Sequence, residues 1–337
     1  MATDTAPPSK PRRWVQRCVR VLIVVSLLLA GFGGYGLWSY ERYQASLQQL
    51  ESVADVGYTG RYIFPFQGKF LPLKTMLRTP HQRVPYLIDF RSGTQHPGRL
   101  LRTFNSPYLN HVIFYRSEIY AEDIDALADN EYLENVEFRE CRFADEALSR
   151  LRSMPSLRRL SFQRCVLSPK DVVDFSIFPK LFELDLSRSN ANDHFLTGLT
   201  DNPSLWKLTL IGISITDDGL RHLHRFPNLK HLHLGLTNVT GVGLVNLDSQ
   251  IRELNLVGTK ANDVSMATIS RLSSLHNLDL ARTKVTVKGV TQLKVLSDLR
   301  FLVLDECNVG DEVREPLKAF PKSMSWRAVR TRVSTRN

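Results

Sequence analysis

Large apolar residues recur along this chain in a fixed figure: one, a second three positions on, and a third two positions after that. The figure begins at Leu109, Leu133, Leu157, Leu181, Leu205, Leu229, Ile251, Leu275 and Leu299. Seven of the eight intervals are 24 residues, and the interval from Leu229 to Ile251 is 22. Self-similarity at such a period marks a solenoid of stacked repeats. In the copy from Leu205 to Leu210, Leu208 and Leu210 are two apart and share one face of a strand, while Thr209 points to the other. Leu205 enters the same core from the preceding turn. No single repeat can bury three such residues, so the pattern predicts one continuous core beneath a parallel sheet.

The second half of each repeat reads as a helix or helical turn. Ile215 to Phe226 shows it best: Thr216 or Asp217 is a suitable N-cap, and Leu220 and Leu223 lie on one face. Asp145, Asp193, Asp263 and Thr286 hold comparable start positions. Met154-Pro155, Phe178-Pro179 and Phe226-Pro227 then end the segment, because proline cannot continue a helix. Helices are wider than strands, so the sheet is expected on the concave face and the helices on the convex one.

On these residues the chain resembles the leucine-rich-repeat family, with L-x-x-L-x-L in register nine times over roughly two thirds of its length. The subtype is similar to the L-x-x-L-x-L-x-x-T/C-x-I/V-T-D-x-G-L repeats of many bacterial, notably planctomycete, proteins. It is also similar to the cysteine-containing repeats of F-box substrate receptors. Ile213 and Ser189 depart from the Thr/Cys site, and the repeat after Leu229 is two residues short, which predicts a local irregularity. The resemblance implies an α/β leucine-rich-repeat solenoid.

The net charge of +10 suggests nucleic acid until it is located. Residues 1–40 carry a net +4 and residues 317–337 a net +6, which leaves 41–316 neutral. A neutral solenoid has no general footprint for DNA or RNA, so no nucleic-acid partner is expected. Three of the four cysteines, Cys141, Cys165 and Cys307, fall on the repeat site that Thr237, Thr259 and Thr283 also occupy. They read as buried small side chains bonding into the loop ladder. Cys141 and Cys165 occupy that site in adjacent repeats, close enough for a disulfide in an oxidising compartment. No C-x-x-C or Cys/His zinc spacing occurs.

Residues 21–40 contain no charge. At 1.5 Å per residue they reach about 30 Å, the thickness of a bilayer core. Trp38, Tyr40 and Tyr43 sit where an aromatic belt belongs, and Lys10, Arg12, Arg13, Arg17 and Arg20 precede the span. The positive-inside rule places the amino terminus in the cytoplasm and the repeats on the periplasmic or extracytoplasmic side. The run is long for a cleaved signal peptide and no A-x-A follows it, so an uncleaved single-pass anchor is expected. Ser26, Ala30 and Gly34 form a small-xxx-small stripe of the kind that pairs spans, which leaves self-association through the anchor open.

The expected organisation is a basic cytoplasmic tail (1–20), a transmembrane helix (21–40), a stalk and cap (41–84), the repeat domain (85–320) and a basic tail or cap (321–337). The stalk reads as helical to residue 53, and residues 57–85 as irregular. Pro85, Ile88 and Phe90 fit a degenerate first repeat, and the stretch from Trp326 reads as a closing strand or a tail.

Two columns of outward residues cross the sheet. One runs Asn110, Glu134, Arg158, Phe182, Trp206, Lys230, Arg252, His276, Arg300, and the next His111, Asn135, Arg159, Glu183, Lys207, His231, Glu253, Asn277, Phe301. Core packing cannot explain Phe182 and Trp206, which face away from the core. Neighbouring exposed aromatics ringed by charge resemble a protein-binding hot spot, although the two can also simply pack on each other. Phe182, Trp206, Lys207, Lys230, His231 and Arg158 are therefore the candidate protein-binding residues. His231, His233 and Glu253 have the chemistry to hold zinc, but a solvated polar strand accounts for them, and no metal or cofactor is assigned.

The chain has no nucleophile elbow, P-loop, dinucleotide fingerprint or H-E-x-x-H, so no catalytic residues are assigned and a non-catalytic role is expected. The reading is a membrane-anchored protein that binds a protein ligand through its concave face. One alternative is an F-box-like adaptor for ubiquitin ligation, against which residues 41–108 do not read as an F-box. Another is a structural envelope protein.

Overall fold

The computed structural model describes residues 41–63, 82–94, 97–102, 108–168, 173–247 and 250–328. The anticipated transmembrane segment and basic tail, residues 1–40, lie outside the described residues. Among the described residues no helix is long and apolar enough to cross a membrane. The chain forms two compact units, Met1–Ser52 with Gly60–Arg83, and Val53–Thr59 with Val84–Asn337. In the first, helix α1 (41–53) buries Leu47 and Leu50. The second carries the repeats.

Fourteen described strands make two sheets. Ten cross the repeats and their flanks in the order of the chain: β2 (Gln82–Phe90), β3 (His111–Tyr115), β5 (Asn135–Arg139), β7 (Arg159–Gln163), β8 (Glu183–Asp185), β9 (Lys207–Thr209), β10 (His231–His233), β11 (Glu253–Asn255), β12 (Asn277–Asp279) and β13 (Phe301–Val303). With β1 (Ala54–Ile63) at one edge and β14 (Ser325–Arg327) at the other, they form a sheet of twelve. A small sheet joins β4 (Glu118–Ile119) to β6 (Arg142–Phe143). The repeat strands are parallel, and the fourth residue of each figure aligns across them: Leu160, Leu184, Leu208, Leu232, Leu254, Leu278, Leu302. Each strand following its predecessor in one direction is what a 24-residue solenoid requires.

The core lies under this ladder. Leu205, Leu208 and Leu210 are fully buried, as are their equivalents in every other copy. In the first four strands the sixth position is phenylalanine. Phe90, Phe114, Phe138 and Phe162 stack with centroids 5.3, 4.9 and 5.4 Å apart, and Phe143 packs edge-on against Phe138 and Phe162. From Leu186 onward leucine takes over that position.

The other side of each repeat is held by caps and by carboxylates that reach forward. Asn192, Thr216, Asn262 and Thr286 cap the helices Asp193–Thr197, Asp217–Leu220, Asp263–Ile269 and Val287–Gln292, each accepting from a backbone N–H of the first turn. Asp193 and Asp263 are thus the first helical residues and not the caps. Their carboxylates serve the next repeat: Asp193 accepts from the Thr216 amide (2.9 Å) and hydroxyl (2.7 Å), and Asp263 from those of Thr286 (2.7 and 2.6 Å). Gly219 and Gly289 follow because a methyl group there would overlap the Asp193 or Asp263 carboxylate. Asp145 begins no α-helix: a turn and the 3-10 segment Leu148–Arg150 stand there, with Asp145 accepting from the Ser168 hydroxyl at 3.1 Å.

The short repeat behaves as an irregularity confined to this side. It carries no α-helix but the 3-10 segment Val242–Asn246, entered through Gly241 at φ 92°. Asp217 stabilises that turn by accepting from the amides of Thr240, Gly241 and Gly243, each at 2.9 Å. The strands ignore the deletion, since His231 still pairs with Glu253.

Cys141, Cys165 and Cys307 are buried and free, so no disulfide joins Cys141 to Cys165. Their thiols donate to the carbonyls of Phe114 (3.4 Å), Phe138 (3.3 Å) and Leu280 (3.0 Å) in the preceding repeat. Thr237, Thr259 and Thr283 instead bond the carbonyl three residues back in their own repeat. The adjoining Cys141 and burial push the Cys165 thiol well up, and burial pushes up Cys307.

The flanks differ from expectation in one respect. Of the stretch read as irregular, 57–63 and 82–85 lie in β1 and β2, strands that continue the sheet; aperiodic sequence hid them. Ile88 pairs with Val112 and Phe90 with Phe114, continuing the repeat register toward the amino terminus. At the other end β14 closes the stack, with Trp326 opposite Leu302 and the Arg314 guanidinium 6.0 Å from its ring.

Phe138 sits between two stacked rings and against a third, so Phe138→Ala opens a cavity in the phenylalanine column. It should cost about 3–5 kcal/mol in equilibrium urea unfolding. A loss under about 1 kcal/mol, in the range of surface changes, would mean the phenylalanine column does not carry stability.

Candidate protein-interaction face

The second residue of each figure begins the ladder. Phe182 N–H donates to the Arg158 carbonyl (2.8 Å), Trp206 to Phe182 (2.9 Å) and Lys230 to Trp206 (2.9 Å). This fixes Arg158, Phe182, Trp206 and Lys230 in one column, one repeat apart. The next column is fixed by strand register, which sets Glu183, Lys207, His231 and Glu253 side by side.

Phe182 and Trp206 stack with centroids 4.8 Å apart and planes 15° from parallel. They therefore pack on each other and remain on the surface, Phe182 being 37% exposed and Trp206 half-buried. Trp206 also lies on His231, centroid to centroid 3.8 Å. Three of the six candidates thus form one continuous stack across three repeats. Lys207 adjoins it, held by Glu183 at 2.7 Å, and Arg159 holds the other oxygen of that carboxylate at 3.3 Å. Arg158 leans the opposite way, 3.9 Å from Glu134. Lys230 has no ion pair among the described residues.

His231 is positioned by a second contact. Its Nδ1 lies 2.9 Å from Glu253 Oε2, and His233 Nε2 lies 3.0 Å from Glu253 Oε1. A carboxylate only accepts, so it sets the tautomers: Nδ1–H on His231 and Nε2–H on His233. The two imidazoles spend those nitrogens on Glu253. Among the described residues no cluster is placed to hold a metal ion. Burial pushes the His231 imidazole below its ordinary value, outweighing the hydrogen bond and charge of Glu253. Burial would raise Glu253, but the hydrogen bonds and charge of the two histidines hold it below its ordinary value.

Sequence spacing placed all six candidates on one face but did not reveal the Trp206–His231 contact, which joins different columns of neighbouring strands. It also missed Leu236, half exposed and held at φ 59°, a conformation uncommon for a residue with a side chain. Its side chain lies over Gly258, where a Cβ would press on the Leu236 methyl.

No family model and no curated protein matches the chain. Among solved structures it is similar to internalin F of Listeria monocytogenes, at 15% identity over 74% of this chain and 90% of that one, with a TM-score of 0.37. It is similar to internalin C2 of the same organism at 18% identity, over 69% and 84% of the two chains, with a TM-score of 0.41. It is also similar to TLR13 in its complex with ssRNA13, at 20% identity, over 66% of this chain and 35% of that one, with a TM-score of 0.46. All three neighbours are leucine-rich-repeat proteins. For this chain the class is defined by its own register: it is a leucine-rich-repeat solenoid with a parallel sheet.

The His231–Glu253–His233 cluster makes stability depend on pH with a defined sign. A lowered His231 value means the unfolded chain binds the proton more readily, so stability falls as pH drops below the ordinary imidazole value of 6.5. A lowered Glu253 value removes further stability below the ordinary carboxyl value of 4.5. Thermal melts from neutrality downward should show both steps, and His231→Gln should remove the first and lessen the second, since His231 helps hold Glu253 low. Unchanged melting at pH 6 in both proteins would contradict this.

Proposed function

We propose that the chain is a membrane-anchored binding protein that recognises a protein ligand through the exposed face of its repeat sheet, without catalysis. The observation that carries this reading is the Phe182–Trp206–His231 stack. It is an aromatic patch in surface positions, rigidified by its own contacts and by Glu253, with Lys207, Lys230 and Arg158 at its rim. Pre-ordered aromatics surrounded by charge are the usual anchors of protein interfaces, because little side-chain entropy is left to lose on binding. The apolar run at residues 21–40 supports a single-pass anchor, with the basic amino terminus in the cytoplasm and the repeats on the extracytoplasmic side.

Photocrosslinking in the intact membrane tests the recognition. A photoreactive residue at Asn277 on the sheet face should yield a discrete adduct with another protein, and one at Val264 on the helix side should not. Phe182→Ala with Trp206→Ala should abolish the adduct while leaving the melting transition intact, each truncation costing about 2 kcal/mol or more of binding. An adduct that survives the double substitution, or a ladder of self-adducts alone, contradicts the reading; the ladder would instead favour a structural role. The anchor is tested separately: the full chain should stay in the membrane pellet after alkaline washing, and deletion of 21–40 should release it. Release of the full chain by that wash would refute an uncleaved anchor.

A further inference from the structure

Most cations on the sheet face are neutralised locally. Arg159 and Lys207 share Glu183, Arg139 pairs with Glu137, Arg327 pairs with Asp305 at 2.6 Å, and Arg158 leans toward Glu134. Lys230, Arg252 and Arg300 are different. None of the three has an ion pair among the described residues, and Arg252 and Arg300 are exposed. They are also aligned: Arg252 N–H donates to the Lys230 carbonyl (2.8 Å), His276 to Arg252 (2.8 Å) and Arg300 to His276 (2.8 Å). Only His276 interrupts the row, and its Nδ1 is bonded to the Ser274 carbonyl at 2.7 Å, which leaves Nε2 outward.

The acids nearest this row are committed elsewhere. Glu253 accepts from both His231 and His233, Asp279 accepts the Ala281 amide at 3.0 Å, and Asp305 holds Arg327. The row therefore presents three cations that none of these acids pairs with, beginning directly beside Trp206 and ending beside Phe301, which is 55% exposed.

We propose that this row binds an extended acidic segment of the protein ligand, laid across the strands with its apolar end on the Phe182–Trp206 stack; the inference rests on the protein-recognition reading above. The spacing fits. Neighbouring strands lie about 4.8 Å apart, so Lys230 to Arg300 spans about 14 Å over three steps. In an extended peptide, side chains on one face recur every 6.6 Å or so, and carboxylates at i, i+2 and i+4 span about 13 Å. A single-stranded nucleic acid also carries regularly spaced charge, but it binds by stacking bases on open ring faces. Here Trp206 is half-buried and already packed against two rings, Phe182 and His231. The exposed part of Phe182 is left as the apolar surface at this end of the row, and it suits an aliphatic side chain.

The probes are a fluorescent extended peptide with glutamate at alternate positions and a leucine at one end, its glutamine counterpart, and a single-stranded oligouridine of equal charge. Anisotropy is read with the full chain in nanodiscs at low and moderate salt. The glutamate peptide should bind, weaken with salt and outcompete both other probes. Lys230→Glu, Arg252→Glu and Arg300→Glu together should weaken it by about tenfold or more. The same reversals at Lys260, Lys288 and Lys294, outside these outward columns, should not. Equal loss from the control triple, equal binding of the glutamine peptide, or tighter binding of the oligouridine overturns the proposal. The crosslinking assay separates the two readings. If the triple variant keeps the protein adduct that Phe182→Ala with Trp206→Ala abolishes, the acidic-segment inference fails while protein recognition stands.

Discussion

No repeat of this chain can bury its own leucines, and the rest of the structure depends on that constraint. Leu205, Leu208 and Leu210 are shielded only because the repeats on either side offer the same three positions to the same core. Burial at the scale of one to three kcal/mol per large side chain is therefore shared between neighbours. Sharing works only in register, and the parallel ladder supplies it: one strand per repeat, with equivalent residues opposite each other. The exposed face follows automatically, because whatever stands at the second, third and fifth positions of the figure is aligned into columns. Phe182 and Trp206 stack because they occupy the same position in consecutive repeats.

The opposite side of each repeat tolerates more. It is tied by short polar contacts from one repeat to the next, Asp193 to Thr216, Asp217 to Thr240 and Asp263 to Thr286, and not by a continuous ladder. A repeat two residues short is accommodated there, with a 3-10 turn under the Asp217 carboxylate. The loss of a single residue within a strand would instead have turned the side chains beyond it in that strand to the other face. The face that reads as functional is thus insulated from length variation on the face that does not.

How far the sequence disclosed this varies by element. The core and both columns were legible because the leucine figure repeats nine times and a strand alternates sides with period two. The cysteines were legible as a threonine-equivalent site, though not the difference in bonding: a thiol at this site reaches the preceding repeat's carbonyl, whereas a hydroxyl bonds within its own. β1 and the start of β2 were hidden because they belong to no repeat. Asp193 and Asp263 read as caps because aspartate is a good cap. Their neighbours Asn192 and Asn262 cap instead, freeing the carboxylates for the following repeat. The candidate site was legible as a set of positions only. That Trp206 lies on His231, that Glu253 holds both histidines, and that three cations of one column have no ion pair among the described residues are facts of side-chain direction, which spacing does not encode.

The proposal stands or falls on whether the Phe182–Trp206–His231 surface is occupied by a protein ligand. Oxidative footprinting of the full chain, compared between its native membrane and the purified protein in nanodiscs, tests it directly. Phe182 and Trp206 should be protected from oxidation in the native membrane and reactive after purification, with Trp326 equally reactive in both. Equal modification of Phe182 and Trp206 in the two settings would contradict it.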